Sequence, residues 1–411
     1  MKPNMLRRNR SRCLFMISGV LSALVGFRAE GATSLWNVKE LQRVPQIDWL
    51  SEADLGAYTL RRLCFTNEPY AGHSTRMFAY LAVPKGGGDK TPGIVLVHGG
   101  AGRAFLVWAE QWASYGYTAL AIDLNGRDDK GIHFTDGGPV MSEATLVTDI
   151  AQRPIRDLWP YHGITAAIRG VSILGAFARV DSRRIGMMGI SWGAYTVSVA
   201  ASLDNRVAFA ILAYGCGFFS ESGAYKDVLG RLPAKDSRSW TENYDPSVYL
   251  RSLRAPVFWL TGTNDEYFPF VQWTKSYRLT AAPVTLLRVL PRWPHGYDVA
   301  WNTTECRVFA DGVTRSKPQL ISFGPIVADR GTVASAYSAN SNPATAVLVF
   351  TTDQGPWLDR EWYSSPAHLR KSDRRVEAAI PTGAFACFFN LTDERGLETS
   401  SPCYFAIERA P

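Results

Sequence analysis

From Gly93 to Leu290 the chain alternates short, uninterrupted apolar runs with longer mixed segments. The runs Ile94–Val97, Thr118–Ile122, Arg184–Met188, Val207–Tyr214, Pro256–Thr261 and Thr285–Leu290 lack one-in-two alternation, which marks strands covered on both faces. Trp108–Tyr115 and Tyr161–Phe177 read as intervening helices, so the rhythm predicts an α/β fold with a doubly wound, mostly parallel sheet. Ahead of it, Trp36–Val44 reads as a short helix, and Tyr58–Phe65 and Ser74–Val83 as an antiparallel hairpin. After Thr303–Pro318 the pattern changes to β-rich runs without helices: Gln319–Phe323, Val333–Tyr337, Ala346–Phe350, Ala384–Asn390 and Cys403–Ile407. These predict a C-terminal all-β, sandwich-like domain. The expected division is a leader over 1–32, the α/β domain over 33–310 and the β domain over 311–411. Two long connections, Asn125–Arg156 and Gly217–Tyr249, are expected to wall or cover a site.

Composition narrows the picture. The chain of 411 residues is 46% hydrophobic and 12% aromatic, enough apolar material for about two packed domains. Its formal charge of +7 suggests an anionic partner until the charges are located. Residues 1–32 hold Lys2, Arg7, Arg8, Arg10, Arg12 and Arg28 against Glu30, a net +5, which leaves +2 for the rest. That balance argues against a nucleic-acid or membrane-surface binder. The basic head, the apolar run Cys13–Phe27 and the small residues near Ala32 have the layout of a secretory signal peptide, with an uncleaved anchor as the alternative. Export to the periplasm or the medium is therefore expected, with no membrane contact beyond the leader. It would place Cys64, Cys216, Cys306, Cys387 and Cys403 in an oxidising space, and Cys387 with Cys403, on neighbouring strand-like runs, is the candidate disulfide. Neither a Cys-x-x-Cys nor a His/Cys cluster occurs, so no metal is expected.

Candidate chemistry concentrates at the carboxyl ends of the strands, where ligands sit in sheets of this type. Gly189-Ile190-Ser191-Trp192-Gly193 interrupts an apolar run and is followed by small residues: a strand, a sharp turn and a helix start, with one hydroxyl at the apex. A serine needs a base within reach and an acid to orient that base. Asp265 follows the run Pro256–Thr261, with Glu266 as the near alternative. His295 follows Thr285–Leu290 inside Pro294-His295-Gly296. The loop His98-Gly99-Gly100-Ala101 can offer the N–H of Gly100 or Ala101 to a developing oxyanion, with the N–H of Trp192 as second donor. Trp108, Trp159 and Trp293 are candidates to line a pocket, with core packing as the alternative. Cys216 is a further candidate, with a packed thiol as its alternative. The Gly-rich loop lacks the Lys-Ser/Thr of a phosphate cradle, and no cofactor is expected.

These four motifs, in this order, resemble the α/β-hydrolase superfamily, most nearly the secreted bacterial group of dienelactone hydrolases, acetyl xylan esterases and prolyl-oligopeptidase-like enzymes. The resemblance implies a Ser191, Asp265, His295 triad with an oxyanion hole from Trp192 and the loop after His98. It implies a serine hydrolase of carboxylic esters whose substrate is a small ester or an acylated carbohydrate. A serine peptidase of the prolyl-oligopeptidase-like group is the second reading, and a non-catalytic binding protein on this scaffold the third. The C-terminal domain lies outside the pattern.

Overall fold

The computed structural model describes residues 35–86, 88, 90–221, 223–338 and 341–406, so the expected leader lies outside the described residues. Nine strands build the α/β body: β1 (Ile47–Asp54), β2 (Tyr58–Tyr70), β3 (His73–Pro84), β4 (Thr91–Val97), β5 (Thr118–Ile122), β6 (Val180–Ile190), β7 (Phe209–Ala213), β8 (Val257–Gly262) and β9 (Thr285–Leu290). They are ordered β1-β2-β3-β5-β4-β6-β7-β8-β9. Antiparallel pairing runs from β1 to β5, and parallel pairing from β5 through β9. Strands β4, β5, β7 and β8 are buried at every residue. Both faces of the centre are thus covered, which explains their unbroken apolar sequences.

Three segments depart from the expectations. Strand β1 went unread because it is an exposed edge strand without apolar alternation. The stretch Gly217–Tyr249 is not a loop: it folds as helices Ala224–Arg231, Ala234–Tyr244 and Pro246–Tyr249. Their charged composition hid a helical stripe in which Val228, Leu229, Trp240 and Tyr244 are buried. The helix Thr304–Arg315 runs through the boundary expected at 310, and its Phe309 ring packs against Phe209 of β7 and Phe258 of β8.

The C-terminal strands are β10 (Ser322–Asp329), β11 (Thr332–Ser338), β12 (Pro343–Thr351), β13 (Tyr363–Pro366), β14 (His368–Arg370), β15 (Arg375–Ala379), β16 (Ala386–Asp393), β17 (Glu398–Ser400) and β18 (Tyr404–Phe405). One sheet, β10-β11-β15-β14, stands alone, while β17-β16-β12-β13 continues the main sheet through a bridge between Ser400 and Leu287 of β9. Side chains secure that join: the Val289 N–H donates to Ser400 Oγ (2.8 Å), and Asn390 Nδ2 donates to the Val289 carbonyl (3.0 Å). Strand β16, and β12 from Ala346 onward, are covered on both faces. Leu348, Cys387, Phe389 and Leu391 face a small core shared with Val333 and Val376 of the separate sheet, whereas Val349, Ala386 and Phe388 face the large core.

This alternation overturns the proposed disulfide. Cys387 and Cys403 lie on adjacent chain segments, but Cys387 is a free thiol in the small core while Cys403 belongs to the large one. Burial pushes the Cys387 thiol up to about 12.

Candidate active site

Strand β6 ends at Ile190, the helix Trp192–Leu203 begins two residues later, and Ser191 stands between them at φ 59°, ψ −122°. A non-glycine residue in this region is strained and persists only where its surroundings hold it. Here the neighbours on either side do so by close approach. A Cβ on Gly193 would lie 2.6 Å from the His98 carbonyl oxygen and closer still to that of Val97; one on Gly189 would lie 2.6 Å from the Ala194 nitrogen and collide with the Gly193 carbonyl. The turn is therefore pressed against its own helix and against the end of β4. The Ser191 N–H donates to the Ala213 carbonyl (2.8 Å) and its carbonyl accepts from Tyr195 (3.0 Å), tying both flanks. At the first turn of the helix the Trp192 N–H has no partner within the helix, and the helix dipole favours negative charge there.

The loop after β4 is held by its own side chains. His98 Nε2 accepts from the Leu124 N–H (2.9 Å), so the ring hydrogen sits on Nδ1, which faces the Gly99 carbonyl (2.7 Å). With both nitrogens engaged, His98 shapes the loop and has no lone pair left for a base. The Gly100 carbonyl accepts from Tyr297 Oη (2.9 Å), and the Gly102 carbonyl from Asn125 Nδ2 (3.3 Å). Ala101 sits at φ 54°.

Asp265 lies three residues beyond β8, with its carboxylate fully out of solvent. Its Oδ1 accepts the N–H groups of Tyr267 (2.9 Å) and Phe268 (2.8 Å), and its Oδ2 is 2.8 Å from His295 Nδ1. The histidine turns to Asp265, leaving the adjacent Glu266 exposed. With Nδ1 donating to Asp265, Nε2 carries the free lone pair. The imidazole is 13% exposed and lies parallel to Phe268 (centroids 6.2 Å apart, 10° between planes), with Tyr214 at 4.3 Å and Tyr267 at 4.8 Å. Tyr214 Oη also donates to the Pro294 carbonyl (2.9 Å), fixing the loop that carries the ring.

Ser191, His295, Gly100, Ala101 and Trp192 come together in one cavity of about 480 Å³. Its remaining walls are Met141, Ile190, Tyr225, Glu266, Tyr267, Phe268, Gly296 and Tyr297. Met141 and Tyr225 come from the two long connections, one from each. Sequence reasoning did not single out Met141, Tyr225, Tyr267, Phe268 or Tyr297; the last three lie within three residues after the acid or the histidine, the only signal that could have found them.

The four other pocket candidates stand elsewhere. Trp108 is buried against Trp301 and Trp159 is buried beneath the site. Trp159 Nε1 donates to the Leu124 carbonyl (2.9 Å) and Asn125 Oδ1 (3.2 Å), so it supports the glycine loop through Asn125. Trp293 packs on Tyr214, away from the cavity. Cys216 borders a small void behind Tyr225, Tyr267 and Phe268, and burial holds its thiol well above the usual range. Trp108 and Trp159 sit on helices, where both are buried in the core. Among the described residues, no His, Cys, Asp and Glu group could hold a metal ion, and no helix is long and apolar enough to cross a membrane.

A strained serine at a strand-to-helix turn, a glycine loop beside it, and a later acid and histidine on a mostly parallel sheet define an α/β-hydrolase. The chain belongs to the dienelactone hydrolase family, whose model matches residues 77–286, about half its length. Two acetyl xylan esterases are among the solved structures that share the fold. Acetyl xylan esterase 1 from Thermoanaerobacterium sp. is 19% identical, with a TM-score of 0.54 over 65% of this chain and 89% of that one. An acetyl xylan esterase from Paenibacillus sp. is 20% identical, with a TM-score of 0.55 over 69% of this chain and 94% of that one. No curated protein matches by sequence.

Proposed function

We propose that this protein is an exported serine carboxylester hydrolase that works through an acyl-enzyme. The observation that carries the reading is the junction, in one cavity, of the strained Ser191 with a histidine whose Nδ1 is bound to buried Asp265. In the first half-reaction Ser191 Oγ adds to the ester carbonyl as His295 Nε2 takes its proton. Asp265 holds the imidazole in the right tautomer and stabilises the imidazolium. The negative charge that develops on the carbonyl oxygen meets the Trp192 N–H and one N–H of the Gly100-Ala101 loop. Collapse of this intermediate breaks the ester C–O bond, and His295 returns the proton to the departing alkoxide. Water then attacks the acyl group, again giving its proton to His295, and Ser191 leaves with that proton as the acid product is released.

An acylated glycan is the substrate class proposed. The cavity is walled largely by aromatic and apolar groups; among the described residues Glu266 is the one carboxylate that lines it and no Lys or Arg does, which suits a neutral ester better than an anionic one. The shared fold of the two acetyl xylan esterases is compatible with that class. Export rests on the composition of residues 1–32, and amino-terminal sequencing of the protein recovered outside the cytoplasm tests it. The decisive experiment is turnover of p-nitrophenyl acetate by the Ser191→Ala variant, where kcat should drop by roughly 10⁶-fold. Full activity in that variant would overturn the reading.

A further inference from the structure

The acid and the histidine are held by a part of the chain that never reaches the cavity. Asn264, immediately before Asp265, accepts from Thr263 Oγ1 at its Oδ1 (2.6 Å). Its Nδ2 points at the carbonyl oxygens of Trp357 (3.2 Å), Leu358 (2.8 Å) and Arg360 (2.9 Å). Three acceptors can be met only by a donor, so the partners themselves decide which end of the amide is nitrogen. Arg292, three residues before His295, sits at φ 51° and its N–H donates to the same Thr263 Oγ1 (3.1 Å). Its Nη2 lies 3.4 Å from the carbonyl oxygens of Asp359 and Arg360 and 2.7 Å from a carboxylate oxygen of Glu361. The acid loop, the histidine loop and the connection between β12 and β13 thereby form one closed circuit of hydrogen bonds.

The far side of the circuit is packed into the core. Arg360 is buried, its Nε donates to the Gly355 carbonyl (2.7 Å), and its guanidinium lies 3.7 Å over the Trp357 ring and 4.7 Å over that of Phe385. Trp357 packs on Phe270 (5.6 Å) of the helix that follows the acid loop. None of Asn264, Arg292 or residues 357–361 lines the cavity. We infer that residues 357–361 of the C-terminal region set the position of the Asp265–His295 pair, with Asn264 and Arg292 as the positioning residues through which they act. This assigns the C-terminal region a part in catalysis, and it rests on the triad reading above. A histidine held by a carboxylate must stay within a fraction of an ångström of its working place, and a displacement of about 1 Å can cost on the order of 100-fold in rate.

The test uses the full chain and p-nitrophenyl acetate, with kcat referred to the folded fraction measured by near-UV circular dichroism. Asn264→Ala and Arg292→Ala should each lower kcat by roughly 10- to 100-fold while KM moves by less than about twofold. They should also weaken the downfield proton resonance of the Asp265-bound imidazole. Asn264→Asp, which sets a carboxylate against three carbonyl oxygens, should be worse than Asn264→Ala, and Arg292→Lys should restore part of what Arg292→Ala loses. Val376→Ala, in the small core of the C-terminal region, should lower activity only as far as it lowers the folded fraction. Wild-type kcat per folded molecule in both alanine variants, or losses that merely track unfolding as in Val376→Ala, would overturn the inference. His295→Ala separates the two levels: activity in that variant sinks the triad reading itself, whereas an inactive His295→Ala beside a fully active Asn264→Ala sinks only the positioning role.

Discussion

The two halves of the candidate site are held by different forces. Around Ser191 the constraint is steric and local: backbone of β4, β6 and the following helix approaches so closely that Gly189 and Gly193 have no room for a side chain. Around Asp265 and His295 it is polar and long-range, running through Asn264 and Arg292 to carbonyl groups some 93 residues away in the chain at their nearest on the acid side and 67 on the histidine side. The first kind of constraint leaves a motif in the sequence because contacts between near neighbours dictate residue size. The second leaves none, because a backbone carbonyl can be supplied by any residue. A hydroxyl that must stand proud of a turn needs strain, and sterics supply it. An acid and a base that must keep a hydrogen bond between two loops need a tie, and hydrogen bonds supply that.

The comparison breaks most visibly on the polar side. Asp265→Asn keeps the shape but offers the amide nitrogen or a poorer acceptor to His295 Nδ1, favouring the wrong tautomer; kcat should fall by roughly 10⁴-fold with the fold intact. On the steric side the damage should appear in stability as well as in rate. Gly193→Ala sets a methyl group against the carbonyls of Val97 and His98, neither of which can move without disturbing β4. Overpacking against backbone should cost about 3 kcal/mol or more, read from urea unfolding, together with loss of activity. Loss of rate without loss of stability in Gly193→Ala would erase the distinction.

The same contrast explains how much of the molecule its sequence disclosed. The central strands could be read because burial on both faces leaves unbroken apolar runs, and the serine turn because its glycines are obligatory. Asp265 and His295 stood out by chain order, since each follows a buried strand. The helices of 224–249 stayed hidden because their buried stripe is thin and their other faces are charged. Cys387 and Cys403 looked like partners because adjacency in a strand pair says nothing about which face each side chain takes. Nothing in the sequence ties Asn264 or Arg292 to the C-terminal region, and only the folded chain brings residues 357–361 to them.

A weak point lies on the steric side, in the helix Trp159–Ala176 that supports the glycine loop through Trp159. His162 in this helix is fully buried, and the rings of Tyr70 and Tyr161 stand nearly perpendicular to it. Burial pushes the imidazole down from 6.5 to about 4, offset in small part by the backbone of Arg156. The unfolded chain therefore binds a proton more readily than the folded one. The stability tied to this group is complete above pH 6.5 and is lost as pH falls towards about 4. The full excursion is worth on the order of 3 kcal/mol. His162→Phe should flatten the acid side of the stability curve measured by thermal unfolding from pH 7 to pH 4. An unchanged slope would mean that the ring is not the acid-sensitive group.

The smallest expected effect tests which of two consecutive carboxylates belongs to the polar tie. Asp265 is locked by two N–H groups and His295, whereas Glu266 lines the cavity and is exposed. An exposed charge several ångströms from a bound ester acts through water and salt, so its influence is worth less than about 1 kcal/mol. Glu266→Gln should therefore leave the pH dependence of turnover in place and change selectivity instead. The ratio of kcat/KM for an anionic p-nitrophenyl ester to that for the acetate should rise roughly two- to fivefold at low ionic strength. In about 0.5 M salt, where the screening length is shorter than the cavity, the gain should vanish. A Glu266→Gln variant as damaged as Asp265→Asn would move the orienting role to the neighbouring carboxylate, and the circuit through Asn264 would then hold the wrong acid.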